Sequence, residues 1–187
     1  MMDYVADPKK ISKLLEVSFA KLTPVFEDDH ETQTVRVYDV RGFTFDQTIL
    51  KAVRSVFGLV QNRKEELLLV DHPKRGWEVC GGHLNAEEVV STDIRSGLHR
   101  EVLEESGHTV EDDSLAFLGH IHNKEEAINR ELQCPYPQET VMAIFTCYAR
   151  EKVSDELHDD IKQVGFFSKE EALSLVRSRN RALINAL

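Results

Sequence analysis

Apolar residues near the start of the chain recur at helical spacing, three and four positions apart. They are Ile11, Leu14, Leu15, Phe19 and Leu22. Asp7 followed by Pro8 is typical of a helix N-terminus, and Pro24 marks the point where the helix is expected to end. The pattern therefore predicts an amphipathic helix whose apolar face packs on another part of the protein.

The pattern then changes from helical to extended. Residues 27–33 are polar and acidic, which predicts a solvated loop. Val35 and Val37 alternate with polar residues, which predicts a strand that is broken at Gly42. This early part of the chain could pack on the body of the protein, cover a substrate pocket or form a dimer contact, and the pattern favours none of the three.

Three short apolar runs at strand spacing follow. Residues 55–60 and 66–70 flank a polar turn at residues 62–65 and predict a hairpin. Residues 77–80 predict a third strand, which leads into a pair of glycines.

The remainder of the chain continues the alternation. Residues 115–122, 140–148 and 164–167 predict strands, the second of them buried. Ser168 is placed to cap a helix over residues 169–176. Strands that alternate with helices indicate a fold of the α/β class.

One long helix lies between these strands. It is expected to end at Gly107, a residue type common at helix C-termini, and to be capped at its start by Ser91 or Thr92. Asp93 is favourable in the first turn. Gly97 inside the helix costs about 1 kcal/mol relative to alanine, which indicates close packing at that turn.

Three carboxylates, Glu101, Glu104 and Glu105, share one face near the end of this helix. A solvated acidic face is the usual interpretation of such a cluster. Helical phase argues against it here, because Ile94 and Leu98 point the same way as Glu101 and Glu105. Like charges that are turned inward need a cation, and oxygen ligands suit a hard divalent ion such as Mg²⁺ or Mn²⁺.

The composition is that of an ordinary soluble globular protein of 187 residues, with 41% hydrophobic and 30% charged residues. A formal net charge of −10 argues against broad nucleic-acid binding through a basic surface.

The chain has three cysteines, Cys80, Cys134 and Cys147, an odd number without zinc-type spacing, which predicts reduced thiols in the cytoplasm. Neither a signal peptide nor a membrane-spanning stretch is expected.

Residues 82–107 resemble the Nudix box, G-x5-E-x7-R-E-U-x-E-E-x-G-U, in which U is aliphatic. The matching residues are Gly82-x5-Glu88 and Arg100-Glu101-Val102-x-Glu104-Glu105-x-Gly107. Eleven residues separate Glu88 from Arg100 where the family has seven, and His108 stands where an aliphatic residue is usual. The four extra residues either lengthen the helix by about one turn or enlarge the loop before it.

The resemblance covers roughly residues 53–176 and implies a Nudix α/β/α sandwich around a mixed β-sheet. It divides the chain into an N-terminal extension with an amphipathic helix, residues 1–50, and a Nudix hydrolase domain, residues 51–187.

The resemblance also implies a metal site. In the family, the carboxylates at the positions of Glu101 and Glu105 bind Mg²⁺ directly, and Mn²⁺ can substitute. The carboxylate at the position of Glu104 binds directly or through water, and the backbone carbonyl of Gly81 is a further ligand.

Two neighbouring residues are expected to support these ligands. Arg100 lies four positions before Glu104 and can orient its carboxylate. Glu88 is either a further ligand or an orienting partner in contact with the substrate site, and Glu87 competes for that place.

The activity implied by the resemblance is divalent-metal-dependent hydrolysis of a phosphoanhydride bond in a nucleoside diphosphate-linked small molecule, of the nucleotide or dinucleotide type. Nudix enzymes take their general base from the box or from a later loop, so Glu101 and Glu139 are both candidates. An exposed side chain without a catalytic role is the alternative for Glu139.

Tyr136, between two prolines, either stacks on a flat substrate group or belongs to an ordinary stiffened turn.

His120 and His122 alternate along a predicted strand and so share one of its sides. They could reach a substrate phosphate or bind zinc with a third ligand. Histidines that are simply satisfied or solvated are the commoner case. A homodimer is a further expectation for the whole protein.

Two other functions fit the same fold. Isopentenyl diphosphate isomerase has a Nudix-like domain with a catalytic cysteine in V-C-G-H, and residues 79–83, VCGGH, resemble that segment with one extra glycine. Glu139 could stand for the downstream glutamate of the isomerase. However, the box of the isomerase is degenerate, whereas this chain keeps every carboxylate that a hydrolase needs. A non-catalytic Nudix binding module normally loses a box carboxylate, and none is lost here.

Overall fold

The computed structural model describes residues 23–30, 33–38, 50, 52–124, 139–158 and 160–187. Within these residues the strands are β1 (Pro24–His30), β2 (Gln33–Tyr38), β3 (Val53–Gln61), β4 (Leu67–His72), β5 (Gly76–His83), β6 (His108–Val110), β7 (Ala116–Lys124), β8 (Glu139–Lys152) and β9 (Gln163–Phe167). The α-helices are α1 (Ala86–Ser91), α2 (Ile94–Ser106), α3 (Lys169–Leu175) and α4 (Ser178–Asn185). None of these helices is long and apolar enough to cross a membrane.

The strands form one mixed sheet in the order β1-β2-β7-β8-β3-β5-β4-β9, with β6 paired to β8. β3 and β8 run parallel in its centre, and the other neighbouring strands run antiparallel. β3 thus has β8 on one side and β5 on the other, and both of its edges are paired.

Alternate residues of the central strands enter two separate cores, one on each face of the sheet. On β4, Leu68 and Val70 pack in the core that contains the apolar residues of α2. Leu67 and Leu69 point the other way, into the core that contains the apolar residues of α3 and α4. The protein is therefore built in three layers, with the sheet between two layers of helices.

The later strands and α3 confirm the predictions from periodicity. The strands expected over residues 115–122, 140–148 and 164–167 are β7, β8 and β9. Ser168 caps α3 as predicted, because its hydroxyl accepts the Glu171 N–H while the Glu171 carboxylate accepts the Ser168 N–H.

The predicted hairpin is confirmed only next to its turn, although both of its strands exist. β3 and β4 are paired only at Gln61 and Leu67, next to the turn. β5 lies between them, paired with β3 through residues such as Gly58 and with β4 through residues such as Leu69. The apolar pattern of each strand is the same whichever neighbour it pairs with, so periodicity could not identify the partner.

The loop predicted over residues 27–33 is also wrong, because β1 covers most of it and pairs with β2. β1 is the outermost strand of the sheet, where the Glu27 side chain is exposed while the backbone is paired. Glu27 on β1 accepts a hydrogen bond from Nε of Arg36 on β2 at 2.6 Å. The strand predicted around Val35 and Val37 is confirmed as β2, and the amphipathic helix predicted before Pro24 lies outside the described residues.

Helix α4 is not indicated by the apolar pattern. Its buried residues Ala182, Leu183 and Ile184 are consecutive rather than spaced at helical intervals, and its first turn is polar. It nevertheless closes the second core, since all three of these side chains are at most 3% exposed.

We predict that β2 is an integral part of the domain core. Val35 is fully buried in the core beneath α4, so Val35→Ala should lower the free energy of unfolding by about 2 kcal/mol. Urea denaturation measures this directly. Val25→Ala on β1 is the matched control, because Val25 is 66% exposed and its truncation should change the free energy by less than about 0.5 kcal/mol. Equal stability of the two variants would show that β2 is only loosely attached.

Candidate active site

The residues between the two halves of the box form a separate short helix, so neither predicted outcome of the insertion is correct. Asn85 caps α1 by accepting the Glu88 N–H at 2.9 Å, and the Glu88 carboxylate accepts the Asn85 N–H at 2.8 Å. Thr92 ends α1 in the left-handed conformation, with φ 60°. An Asn followed three positions later by Glu is a capping-box pattern, and this signal in the sequence could have predicted α1.

Helix α2 begins one to two residues later than predicted. Thr92 ends α1, so Asp93 is the N-cap of α2, and its carboxylate accepts the Ser96 N–H at 3.1 Å. The other end is as predicted: Gly107 has φ 73° and donates its N–H to the Leu103 carbonyl at 2.9 Å.

Gly97 allows α1 and α2 to pack closely, as its position in the helix predicted. A Cβ at this position would lie 2.3 Å from Cδ2 of Leu84 and 3.3 Å from Oε2 of Glu88. A larger residue would therefore displace the Leu84 side chain and press against the Glu88 carboxylate.

Arg100 joins both halves of the box through its guanidinium. Nε and Nη2 donate to the two carboxylate oxygens of Glu88, both at 2.9 Å. Nη1 donates to Oε1 of Glu101 at 2.9 Å and to Oε2 of Glu104 at 3.0 Å, and Nη2 also donates to the His83 carbonyl at 2.9 Å. One planar group thus fixes three carboxylates and the end of β5 relative to each other.

Glu88 is buried, at 8% exposed, and both of its oxygens are occupied. Oε1 accepts from Arg100, and Oε2 accepts from Arg100 and from the Asn85 N–H. The hydrogen bonds from Arg100 lower the pKa of the Glu88 carboxyl, so the group stays ionised. These contacts favour the orienting role for Glu88 over direct ligation, and Glu87 is exposed.

Glu101 lies in the inward stripe of α2, as helical phase predicted. It is 8% exposed, next to the buried Ile94 and Leu98 on the same stripe. Burial raises the pKa of the Glu101 carboxyl, against the opposing effect of Arg100.

Glu105 lies one turn further along the same stripe. Its Oε2 accepts the Gly81 N–H at 2.8 Å. Burial raises the pKa of its carboxyl to about 8, although the hydrogen bond from Gly81 lowers it and the negative charge of Glu101 raises it further. Two acidic groups with raised pKa values in one place are an electrostatic cost that a cation would remove.

The two glycines at the end of β5 let α2 approach the strand. A Cβ on Gly82 would lie 2.6 Å from Oε2 of Glu101. Gly81 has φ 146°, and a Cβ there would lie 2.2 Å from the Val56 carbonyl oxygen. A side chain at Gly82 would therefore push the Glu101 carboxylate away from β5, and a side chain at Gly81 would push β5 away from β3.

Among the described residues, no three His, Cys, Asp or Glu side chains are arranged as a complete metal site. The reason is visible in the hydrogen bonds, because Glu101 and Glu104 turn one oxygen to Arg100 and Glu105 turns one to Gly81. The donor set nevertheless fits a hard divalent cation, since it consists of oxygens alone and carries an excess of buried negative charge. Each of the three carboxylates also keeps one oxygen for which the described chain provides no hydrogen bond.

Comparison with known proteins decides the family. A family model described as the NUDIX domain matches residues 51–187. The chain belongs to the Nudix family. The three layers around a mixed sheet are accordingly the Nudix α/β/α sandwich that the sequence predicted. No curated protein sequence matches the chain significantly.

Solved structures agree on the fold. A mutant of the pyrophosphohydrolase BsRppH from Bacillus subtilis is 21% identical, with a TM-score of 0.54 over 76% of this chain and 77% of that chain. A NUDIX hydrolase from Nitrosomonas europaea is 20% identical, with a TM-score of 0.51 over 71% of this chain and 86% of that chain. At these identities the likeness concerns the Nudix fold alone.

The side chains of two predicted site residues are not among those that the structure describes. Tyr136 lies outside the described residues, so its proposed stacking stays a prediction. Glu139 is the first residue of β8 and pairs with Lys124 in the ladder to β7, but its side chain is not among those described. Its role as a general base in this Nudix domain is also still a prediction.

His120 and His122 are both buried on β7, at 1% and 7% exposed, so they are not solvated. Burial lowers the pKa of His120 to about 3, and the positive charge of Arg36 lowers it further. A neutral imidazole does not provide the charge that a substrate phosphate would require.

Cys80 is fully buried in the core beneath α2. Burial raises the pKa of its thiol well above the usual value, and the nearby Glu105 carboxylate raises it further. The Nudix-like isomerase would need this thiol at the substrate, which the burial of Cys80 does not allow. The second described cysteine, Cys147, is also buried and free.

We predict that Glu105 makes the stability of this Nudix domain depend on pH when divalent cations are removed. A carboxyl with a pKa of about 8 in the folded state and 4.5 in the unfolded state stabilises the fold below pH 4.5, and this contribution is lost as the pH rises through about 8. In EDTA, the free energy of unfolding of the wild type should therefore fall more steeply over this range than that of Glu105→Gln.

Glu104→Gln is the control for this experiment, because the Glu104 side chain is 44% exposed. It should keep the pH dependence of the wild type. Parallel curves for the wild type and Glu105→Gln would mean that Glu105 is not the buried acid described above.

Proposed function

We propose that the protein catalyses Mg²⁺-dependent hydrolysis of a phosphoanhydride bond in a nucleoside diphosphate-linked small molecule, with Mn²⁺ able to substitute. Nudix hydrolases generally cleave pyrophosphate linkages and use divalent metals. The observation that carries the proposal is the state of three carboxylates: Glu101, Glu104 and Glu105 are each held by one oxygen while the other is left for a cation.

The residues that would hold the cation are these three glutamates and the carbonyl of Gly81. When bound, a divalent cation neutralises the diphosphate and acidifies a water molecule. Arg100 contributes by fixing Glu101 and Glu104 in one orientation before the substrate arrives, which reduces the cost of organising the site. Glu88 in turn holds Arg100 through two hydrogen bonds.

The proton of the attacking water must pass to a carboxylate. Glu101 is one candidate through Oε2, the oxygen that Arg100 leaves free, and in that case Glu104 and Glu105 hold the cation. Its pKa is raised by burial, and a base with a raised pKa accepts a proton more readily. Glu139 is the second candidate, from outside the box. The proposal includes either residue, and Glu139→Gln separates them: a large loss of kcat would assign the base to Glu139, and wild-type turnover would assign it to Glu101.

The nature of the nucleoside diphosphate-linked substrate is open among triphosphates, oxidised nucleotides, dinucleotides and sugar nucleotides, because specificity depends on residues outside the box. The isomerase alternative is disfavoured by the burial of Cys80, and a non-catalytic module is disfavoured by the intact carboxylate set. A cytoplasmic location is part of the proposal and is supported by the free thiols of Cys80 and Cys147.

A panel of these four substrate classes, assayed for released phosphate or pyrophosphate with Mg²⁺ and with Mn²⁺, tests the proposal. Glu101→Gln and Glu105→Gln each keep the shape of the side chain and remove its charge. On the best substrate, either change should lower kcat/KM at least about a hundredfold, because the cation loses a ligand.

Two controls make this result specific. Glu87→Gln removes an exposed carboxylate of α1 and should keep wild-type turnover. Cys80→Ser should retain most of the activity, whereas an isomerase would lose it. Near-normal turnover in Glu105→Gln would exclude the assigned cation site.

A further inference from the structure

Arg179, in the first turn of α4, carries a positive charge that the described chain leaves unpaired by any carboxylate at hydrogen-bond distance. Its guanidinium carbon lies 4.8 Å from the centre of the Phe57 ring. Within the described residues this stacking is its sole direct contact of a polar or aromatic kind. Glu78 is near enough to act on it electrostatically, but the Glu78 carboxylate is bound by Arg75 at 2.6 Å.

This arrangement is costly for the folded protein alone. Burial lowers the pKa of Arg179, since the charged guanidinium has lost part of its water, and Glu78 offsets this only in part. Stacking on an aromatic ring offsets only part of what a partly buried cation loses when no protein group accepts its hydrogen bonds. An anion that arrives with a ligand would supply the missing acceptors.

Phe57 places this guanidinium next to the candidate active site. Phe57 and Gly81 are partners in the ladder between β3 and β5. A Cβ on Gly81 would lie 2.7 Å from Cδ1 of Phe57, so the ring is packed against the glycine. The same Gly81 donates its N–H to Glu105. The Phe57 ring therefore lies between Arg179 and Gly81, the residue of β5 whose N–H binds Glu105 of α2.

Asn180, the next residue, gives a second indication at the same turn. It is 7% exposed, and its Oδ1 is inaccessible to solvent and has no hydrogen-bond partner in the described chain. A buried carboxamide oxygen that accepts no hydrogen bond is uncommon in folded proteins. The first turn of α4 thus holds two adjacent side chains with polar atoms that make no hydrogen bond within the described residues.

Two other arginines close to β5 are already engaged. Arg100 is bound to the box carboxylates, and Arg75 is bound to Glu78. A polyanionic substrate approaching a protein of net charge −10 needs a cationic group besides the metal. Of these three arginines, Arg179 is the one whose donors remain available.

We propose that Arg179 is a substrate-binding residue, which donates to a phosphate oxygen of the diphosphate group from its position beside the Phe57 ring. This inference rests on the proposed hydrolase function and adds a specific anion-binding group to it. The planar guanidinium suits bidentate binding of phosphate, and the Phe57 ring holds it in one plane.

The test compares Arg179→Met, Arg179→Lys and the control Arg177→Met. Arg177 is an exposed arginine two positions earlier, with no side-chain capping bond. Steady-state kinetics on the best substrate of the panel give KM and kcat. Calorimetric titration with methylenediphosphonate, a diphosphate analogue that resists hydrolysis, gives Kd in the presence of Mg²⁺.

Arg179→Met should raise KM and Kd about tenfold or more, since a hydrogen-bonded charge is lost, while kcat changes by less than about threefold. KM and Kd of Arg179→Lys should lie between those of Arg179→Met and the wild type. Lysine keeps the positive charge but lacks the planar guanidinium that can donate two parallel hydrogen bonds. Arg177→Met should stay within about twofold of the wild type in both constants.

Thermal melting without ligand distinguishes binding from a structural role. Replacing an uncompensated cation by methionine should leave Tm equal or raise it. Unchanged KM and Kd in Arg179→Met, or a lower Tm with unchanged Kd, would overturn the inference while leaving the hydrolase function intact. A wild type that cleaves no phosphoanhydride of the panel would overturn both.

Discussion

The site depends on one planar cation, the guanidinium of Arg100. It is held by two hydrogen bonds to Glu88, which lies in a different helix from the other carboxylates. Through Nη1 it then fixes Glu101 and Glu104. A flexible ammonium could not satisfy all of these directions at once, because only the guanidinium has a rigid fork. The capping of α1 by Asn85 therefore contributes to the site at a distance, since it fixes Glu88.

The other features of the site follow from the burial of two carboxylates, Glu101 and Glu105, between α2 and the end of β5. The glycines at the end of β5 bring the strand against α2, so that Glu105 is bound by a backbone N–H and Glu101 lies against Gly82. The same proximity removes water and raises the pKa of both carboxyls. A site of this kind is unstable without a cation and becomes favourable when one binds. Under the proposed function, a bound divalent ion would offset this loss of stability.

Sequence periodicity predicted the parts of the site that lie within one helix. Ile94 and Leu98 identify the buried stripe of α2, and the same phase carries Glu101 inward. Contacts between distant segments are not determined by periodicity. Nothing in the spacing states that Glu88 meets Arg100 through both oxygens, or that β5 lies between β3 and β4. The acidic strand β1 is formed by backbone pairing at the sheet edge, so its side chains carry no apolar pattern. The stacking of Arg179 in α4 on Phe57 of β3 likewise depends on how the helices pack on the sheet.

The central claim is that the carboxylates of α2 form a divalent-cation site. Calorimetric titration of the metal-free protein with Mn²⁺ tests it without reference to any substrate. The account predicts saturable binding by the wild type and its loss in the double variant Glu101→Gln, Glu105→Gln, with both proteins folded by circular dichroism. Equal Mn²⁺ affinity in the wild type and the double variant would contradict the claim.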